Sequence, residues 1–235
     1  MTSSRDVGVV LVHGGWTDGS SWSKVIRALV ADGIRTVAPP LPLTSFHDDV
    51  AALDQALERV PGPVVLAGHA YAGAVIAATR SNDVKALVYI AALAPEENET
   101  VADVFYRKEP HPQAPKLAPD RHGLIYLPES AFPTAFAQNA APQELAVLAA
   151  VQRPISPASI TVGVPRPLWK DRPAWFLVAE EDRMIVQDNQ RFMAERMRAR
   201  VRSHAVDHTP MVTAPDAVLG VLREAVSAVR ANSRT

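Results

Sequence analysis

Apolar residues along this chain follow two rhythms: short unbroken runs, and longer stretches in which they recur every three or four positions. "VGVVLVHGG", residues 7–15, is a run of the first kind that ends in glycines, and it reads as a buried strand. "SWSKVIRALVADG" follows, with Trp22, Val25, Ile26, Leu29 and Val30 at helical spacing and Gly33 as a stop signal. The step repeats in "IRTVAPPLP" and "SFHDDVAALDQALERVPG", where Ser45 is placed to cap a helix whose apolar face is Val50, Leu53, Leu57 and Val60. It repeats again in "PVVLAG" and the helix from about Ala72. "VKALVYIAAL", "AWFLVAEED" and "VRSHAV" add three strands, the last two followed by helices at "QDNQRFMAERM" and "PDAVLGVLREAVSAV". Alternation of this kind predicts an α/β fold, a mostly parallel sheet with helices on both faces.

One region breaks the rhythm. Residues 95–173 are rich in Pro and Ala, carry Phe105, Tyr106, Tyr126, Phe132, Phe136 and Trp169, and contain no strong strand. A long excursion between consecutive strands usually has a task, and a mainly helical cap over a pocket is expected here, with surface helices on the sheet edge as the plain alternative. At 235 residues the chain is expected to form one domain, 1–235, with 95–173 as its insertion.

Composition narrows the field. A net charge of −1 with both signs interspersed offers no footprint for nucleic acid or an anionic membrane. The expected partner is a small-molecule substrate, with a homodimer left open. There is no Cys, which removes disulfides, thiolate catalysis and Cys-ligated metals together. Neither a signal-peptide core nor about 20 uninterrupted apolar residues can be found, so a cytoplasmic location is expected.

In open α/β sheets ligands collect outside the carboxyl ends of the strands, so the residues just after each strand matter most. "HGGWTDG" (13–19) follows the first strand and "GHAYAG" (68–73) the third; Asp182 in "AEEDRM" and His208 in "AVDHTP" follow the last two. The order is glycine-rich loop, tight strand-to-helix turn, acid, histidine. In "GHAYAG" the residue where such a turn presents a reactive side chain is Ala70, and a methyl group cannot attack anything. "GHAYAG" also has glycines five apart, as in a phosphate-binding loop, but Ala74 and Val75 stand where Lys and Ser or Thr are needed. The dinucleotide fingerprint is missing after the first strand. His204 and His208 have a zinc-like spacing but fall on a strand and loop rather than one helical face, so no metal site and no cofactor are expected.

"LVHGGWTDGSSW", "VVLAGHAYAGAVI", "KALVYIAALAP", "WFLVAEEDRMI" and "HAVDHTPMVTAPDAV", in this order, resemble the motifs of α/β-hydrolases of the small bacterial group related to plant methylesterases and hydroxynitrile lyases, and to pyrethroid-hydrolysing carboxylesterases. The resemblance spans nearly the whole chain and implies an α/β-hydrolase fold with the cap inserted before the acid-bearing strand. It places Ala70 at the nucleophile position, Asp182 as the acid and His208 as the base, with the backbone N–H groups of Gly15 and Tyr71 as oxyanion-hole donors. Trp16, Tyr106, Phe132 and Phe136 are expected to line the substrate pocket, with ordinary core packing as the alternative for each.

The turn departs from the family pattern twice. Ala72 replaces a glycine, a packing adjustment, whereas Ala70 removes the hydroxyl on which an acyl-enzyme would form. Asp182 is preferred over Glu180 and Glu181 because the resemblance puts the acid there. His13 and His69, among glycines in crowded turns, read as structural hydrogen-bonding residues, and Asp207 as a weaker alternative partner for a histidine. Three functions remain open: a carboxylic ester hydrolase for a small apolar ester whose serine has been replaced, by nature or by design; a non-covalent His/Asp acid–base enzyme of lyase or cofactor-free oxygenase type; and a silent binder of a small apolar ligand.

Overall fold

The computed structural model describes residues 7–232. Strands β1 (Gly8–Val12), β2 (Thr36–Val37), β3 (Val64–His69), β4 (Val84–Ile90), β5 (Ala174–Ala179) and β6 (Arg200–His204) form one sheet in the order β2-β1-β3-β4-β5-β6. Every pairing is parallel. β1, β3, β4 and β5 are apolar almost throughout and buried on both faces, as parallel strands sandwiched by helices must be. β6 is an exposed edge, and charged residues alternate along it.

The helices between strands are α1 (Ser23–Ala31), α2 (Phe46–Leu57), α3 (Ala72–Ala78) and α6 (Gln187–Arg196), with α4 (Val101–Phe105) and α5 (Pro142–Val151) in the excursion and α7 (Pro210–Thr213) and α8 (Pro215–Asn232) after the last strand. The chain leaves β1 toward β2 and then crosses back to β3 on the other side. Right-handed crossovers therefore put α1 on one face and α2, α3 and α6 on the other, while α8 packs against α1. The reversal falls between β1 and β3, which opens a crevice at the ends of those two strands.

Local signals largely did what their chemistry dictates. Ser45 caps α2 by accepting the Asp48 N–H, and Gly33 ends the α1 turn at φ +72°. Two details differ from the sequence reading. β2 is only two residues long because the prolines that follow cannot donate to a ladder. Val30, expected on the apolar face of α1, is exposed at 58%, since α1 buries only the narrow stripe containing Val25 and Leu29.

Residues 95–173 contain α4, α5, a π-helical turn at Phe132–Phe136 and two short 3₁₀ turns, joined by long coil and two isolated bridges, Thr100 to Gly163 and Ile125 to Ile155. Helical turns are thus its main regular pieces, but coil makes up most of it. Its segment 132–139 is strapped to the turns after β5 and β6. The Phe136 carbonyl accepts the Thr209 hydroxyl, the Asn139 N–H donates to Asp207, Gln138 donates to the Glu181 carbonyl, and Arg183 donates to the Thr134 carbonyl.

Candidate active site

The turn after β3 is held in an unusual conformation. Ala70 adopts φ +49°, a left-handed geometry that costs an L-residue roughly 1–2 kcal/mol. The surroundings impose it: the Ala70 carbonyl accepts the N–H groups of Gly73 and Leu93, and its own N–H donates to Ile90. Glycine is required on either side. A Cβ on Gly68 would stand 2.7 Å from the Ala72 carbonyl oxygen, and one on Gly73 would collide with the Leu93 carbonyl. Ala72 is fully buried and accommodated. The backbone is a sharp strand-to-helix elbow with a methyl group at its apex.

Across the crevice, Asp182 and His208 meet. His208 Nδ1 lies 2.8 Å from Asp182 Oδ2, with both side chains buried. Asp182 is saturated as an acceptor: Oδ1 takes the Met184 and Ile185 N–H groups at 2.7 and 2.8 Å, and Oδ2 also takes the Gln190 amide at 2.9 Å. This fixes the tautomer. Nδ1 carries the proton toward Asp182, and Nε2 is left with its lone pair. Glu180 instead pairs with Arg191 and Ser203 at the surface, and Asp207 accepts from Asn139, Thr209 and Thr213. Burial pushes Asp207 up from the usual carboxylate range.

His13 and His69 are spent on structure. His13 Nδ1 donates to the Gly14 carbonyl and Nε2 accepts the Leu41 N–H, and desolvation lowers its pKa to about 4. His69 is held neutral, its pKa driven well down by burial and then by the neighbouring His208; its Nε2–H donates to the His208 carbonyl at 2.7 Å. The His69 ring lies 4.7 Å from that of His208, and Phe136 packs on His208 at 5.2 Å.

Gly15, Trp16, Ala70, Tyr71 and His208 line a single cavity together with Leu93, Met184 and Ile185 and, from the excursion, Val101, Phe105, Tyr106, Leu117, Ile125, Ile155 and Ile160. Its volume is about 90 Å³, space for a small molecule. No Lys, Arg, Asp or Glu is in the lining. The N–H groups of Gly15 and Tyr71 have no acceptor among the described residues, although both residues are buried. An unpaired buried donor is costly and so asks for a ligand atom or water.

The structure therefore brings Gly15, Trp16, Ala70, Tyr71, Tyr106 and His208 to one cavity, with Asp182 directly behind. Phe132 and Phe136 are not in its lining: both are fully buried, edge to face at 5.4 Å, within the strap on the dyad turns. Their expected place in the pocket is corrected to core packing, because the π-helical turn aims them at the body of the protein. Two polar residues escaped the sequence reading. Gln190 sits on the buried α6 face with Met193, Ala194 and Met197, and Asp49 on the buried α2 face with Phe46, Leu53 and Leu57; a polar residue in an apolar helical stripe is the signal that could have found both. Asp49 Oδ2 accepts the Tyr71 hydroxyl at 2.7 Å and Oδ1 the Leu43 N–H at 2.6 Å. Burial raises Asp49, while these bonds oppose the rise. Burial, and then Asp49, push the Tyr71 hydroxyl far up.

Residues 9–221 match the model of the Alpha/beta hydrolase family, and the chain belongs to that family. A comparison with curated proteins finds no match. Among solved structures, polyneuridine aldehyde esterase is similar at 19% identity, with a TM-score of 0.80 over 93% of this chain and 98% of that one. A pyrethroid hydrolase from Sphingobium faniae JZ-2 is similar at 21%, TM-score 0.81, over 94% and 98%. Tomato methylketone synthase I, in complex with 2-tridecanone, is similar at 17%, TM-score 0.76, over 95% and 99%. At such identities the likeness is one of fold. Among the described residues no helix is long and apolar enough to cross a membrane, and no group of three His, Cys, Asp or Glu is placed to hold a metal ion.

Proposed function

We propose that this chain is a non-covalent acid–base enzyme for a small, neutral, apolar carbonyl compound, with residues 95–173 as the cap of its pocket. The observation that carries the reading is the pairing of a complete His208–Asp182 dyad with an elbow that presents only a methyl group. A base is present and a protein nucleophile is not. A carbonyl oxygen held by the free N–H groups of Gly15 and Tyr71 would place the adjacent carbon near His208. The C–H bond breaks, its proton goes to Nε2, and the electron pair moves onto the carbonyl oxygen, where the two N–H groups stabilise the developing charge. Asp182 stabilises the imidazolium that forms, and return of that proton from Nε2 to the carbon, as the electron pair leaves the oxygen to re-form the C–H bond and the carbonyl, restores neutral His208 and completes the turnover. The uncharged lining favours a neutral substrate, and the 2-tridecanone bound to tomato methylketone synthase I is a ligand of that class.

The test is exchange of the α-protons of 2-heptanone in D₂O, followed by NMR. The protein should accelerate exchange over buffer, and His208→Ala should remove the acceleration, a general base being worth on the order of 10²–10⁴-fold. Equal exchange by both proteins would sink the reading.

A second reading, an ester hydrolase scaffold without its serine, is favoured by the strained elbow, which is retained at φ +49° although nothing reactive stands on it, and by the esterase and hydrolase names of the similar structures. In either case an acyl-enzyme burst is not expected from the chain with Ala70.

A further inference from the structure

Asp49 lies outside the cavity lining, yet both N–H groups assigned above to the substrate oxygen trace back to it. The first link is direct, since its Oδ2 accepts the Tyr71 hydroxyl. Tyr71 stands between the left-handed Ala70 and the first turn of α3; its N–H belongs to the peptide whose Ala70 carbonyl is held by Gly73 and Leu93, and the bond to Asp49 anchors the same residue from its ring end. The second link runs through the loop after β2. Asp49 Oδ1 accepts the N–H of Leu43, which is held at φ +59°, and the Leu43 carbonyl accepts the Ser156 N–H at 2.9 Å. Next to Ser156 is Ile155, whose side chain packs on Gly15; a Cβ placed there would lie 3.5 Å from Ile155 Cδ1. Ile155 is in turn bridged to Ile125, whose carbonyl holds the Trp16 indole at 3.0 Å. A third group faces the same point: the fully buried Ser159 hydroxyl, which acts on both Asp49 and Tyr71.

A fully buried carboxylate is an expensive way to hold a helix to a sheet, because an apolar residue would do that without desolvating a charge. What a carboxylate does, and Leu does not, is accept two donors at a fixed angle. We infer that Asp49 is a positioning residue for the site: it orients the Tyr71 and Gly15 N–H groups toward one substrate oxygen, through the Tyr71 hydroxyl on one side and Leu43, Ser156 and Ile155 on the other. This rests on the proposed role of those two N–H groups.

The test uses 4-fluorophenol, whose ¹⁹F shift reports whether the bound molecule is phenol or phenolate. Aligned donors favour the anion, so the wild-type protein should bind phenolate better than phenol. Asp49→Asn keeps only one acceptor oxygen and should lower that preference about tenfold, while the affinity for the neutral phenol changes less than twofold. Tyr71→Phe, which keeps the backbone N–H and removes the hydroxyl link, should give a similar loss and stands in if Asp49→Asn does not fold. A merely structural role would weaken phenol and phenolate alike, and that result, or an unchanged preference in a folded variant, overturns the inference alone. A wild-type protein with no preference for phenolate overturns the reading of the N–H groups and this inference with it.

Discussion

The turn after β3 and the paired turns after β5 and β6 face one cavity, yet they are equipped differently. The dyad turns hold a complete chemical device: Asp182 with four donors, His208 locked in one tautomer, and a strap from residues 132–139 across both. The elbow holds a complete geometry and no device. Its left-handed residue is fixed by the Ala70 carbonyl's two bonds and by glycines with no room for a Cβ, none of which involves the side chain at position 70. Backbone shape and side-chain chemistry are therefore separable here. A fold keeps an elbow because strand, helix and neighbouring loop demand it, and what stands at the apex is free to change.

The sharpest way to break the comparison is to supply the missing group. Ala70→Ser places a hydroxyl on an elbow whose backbone already sets its direction, so small aryl esters should give a stoichiometric burst and turnover on the order of 10³-fold above the Ala70 protein. Stopped-flow absorbance checks it, with circular dichroism to confirm folding. A folded but inert serine variant would mean that elbow and dyad are not aligned.

The next largest effect should come from the dyad side. Asp182→Asn keeps the shape but puts an amide where His208 and Gln190 both donate, so the ring loses its tautomer. Proton transfer to the true substrate, or α-proton exchange, should fall on the order of 10²-fold or more. Rates equal to wild type would remove Asp182 from the pair.

The histidines buried beside both turns predict how stability follows pH. His13 is held near 4 and His69 lower than its ordinary value, whereas an unfolded histidine titrates near ~6.5. Between those values the unfolded chain binds more protons, so stability rises with pH through this window and is lost as pH falls from ~6.5 toward ~4. His13 alone amounts to about 3 kcal/mol on full loss. Asp49 and Asp207, both raised by burial, act with the opposite sign: their contribution, present below ~3.9, is lost as pH rises through their folded values, which blunts the low end of the window. Urea midpoints measured between pH 7 and 4.5 should fall steadily, and a flat profile would contradict the buried neutral state of these rings.

The smallest effect belongs to the excursion. Tyr106 is 57% exposed while lining the cavity, so Tyr106→Ala should raise KM roughly threefold to tenfold and change stability by less than about 0.5 kcal/mol. A large loss of stability would place Tyr106 in the core with Phe132 and Phe136.

Strand and helix order, the cap at Ser45 and the stop at Gly33 were legible in the sequence, because each rests on local rules of period and capping chemistry. That the turns carrying Gly15, Ala70, Asp182 and His208 share one crevice follows from the convergence of strand ends in a parallel sheet, whereas the choice of Asp182 over Glu180 and Glu181 came from the family resemblance rather than from any local pattern. The absent hydroxyl was legible too, since no packing can restore an atom that the side chain lacks. The tertiary structure decided which aromatics face the cavity. Tyr106 and Phe136 carry similar rings, but Tyr106 closes α4 at the cavity while the π-helical turn packs Phe136 against His208. It also decided that Asp49 and Gln190 serve the site from within apolar helical faces. Their partners, Tyr71 for one and Asp182 for the other, lie 22 and 8 positions away in sequence, and contact at such separations is fixed by how the layers pack rather than by any local pattern.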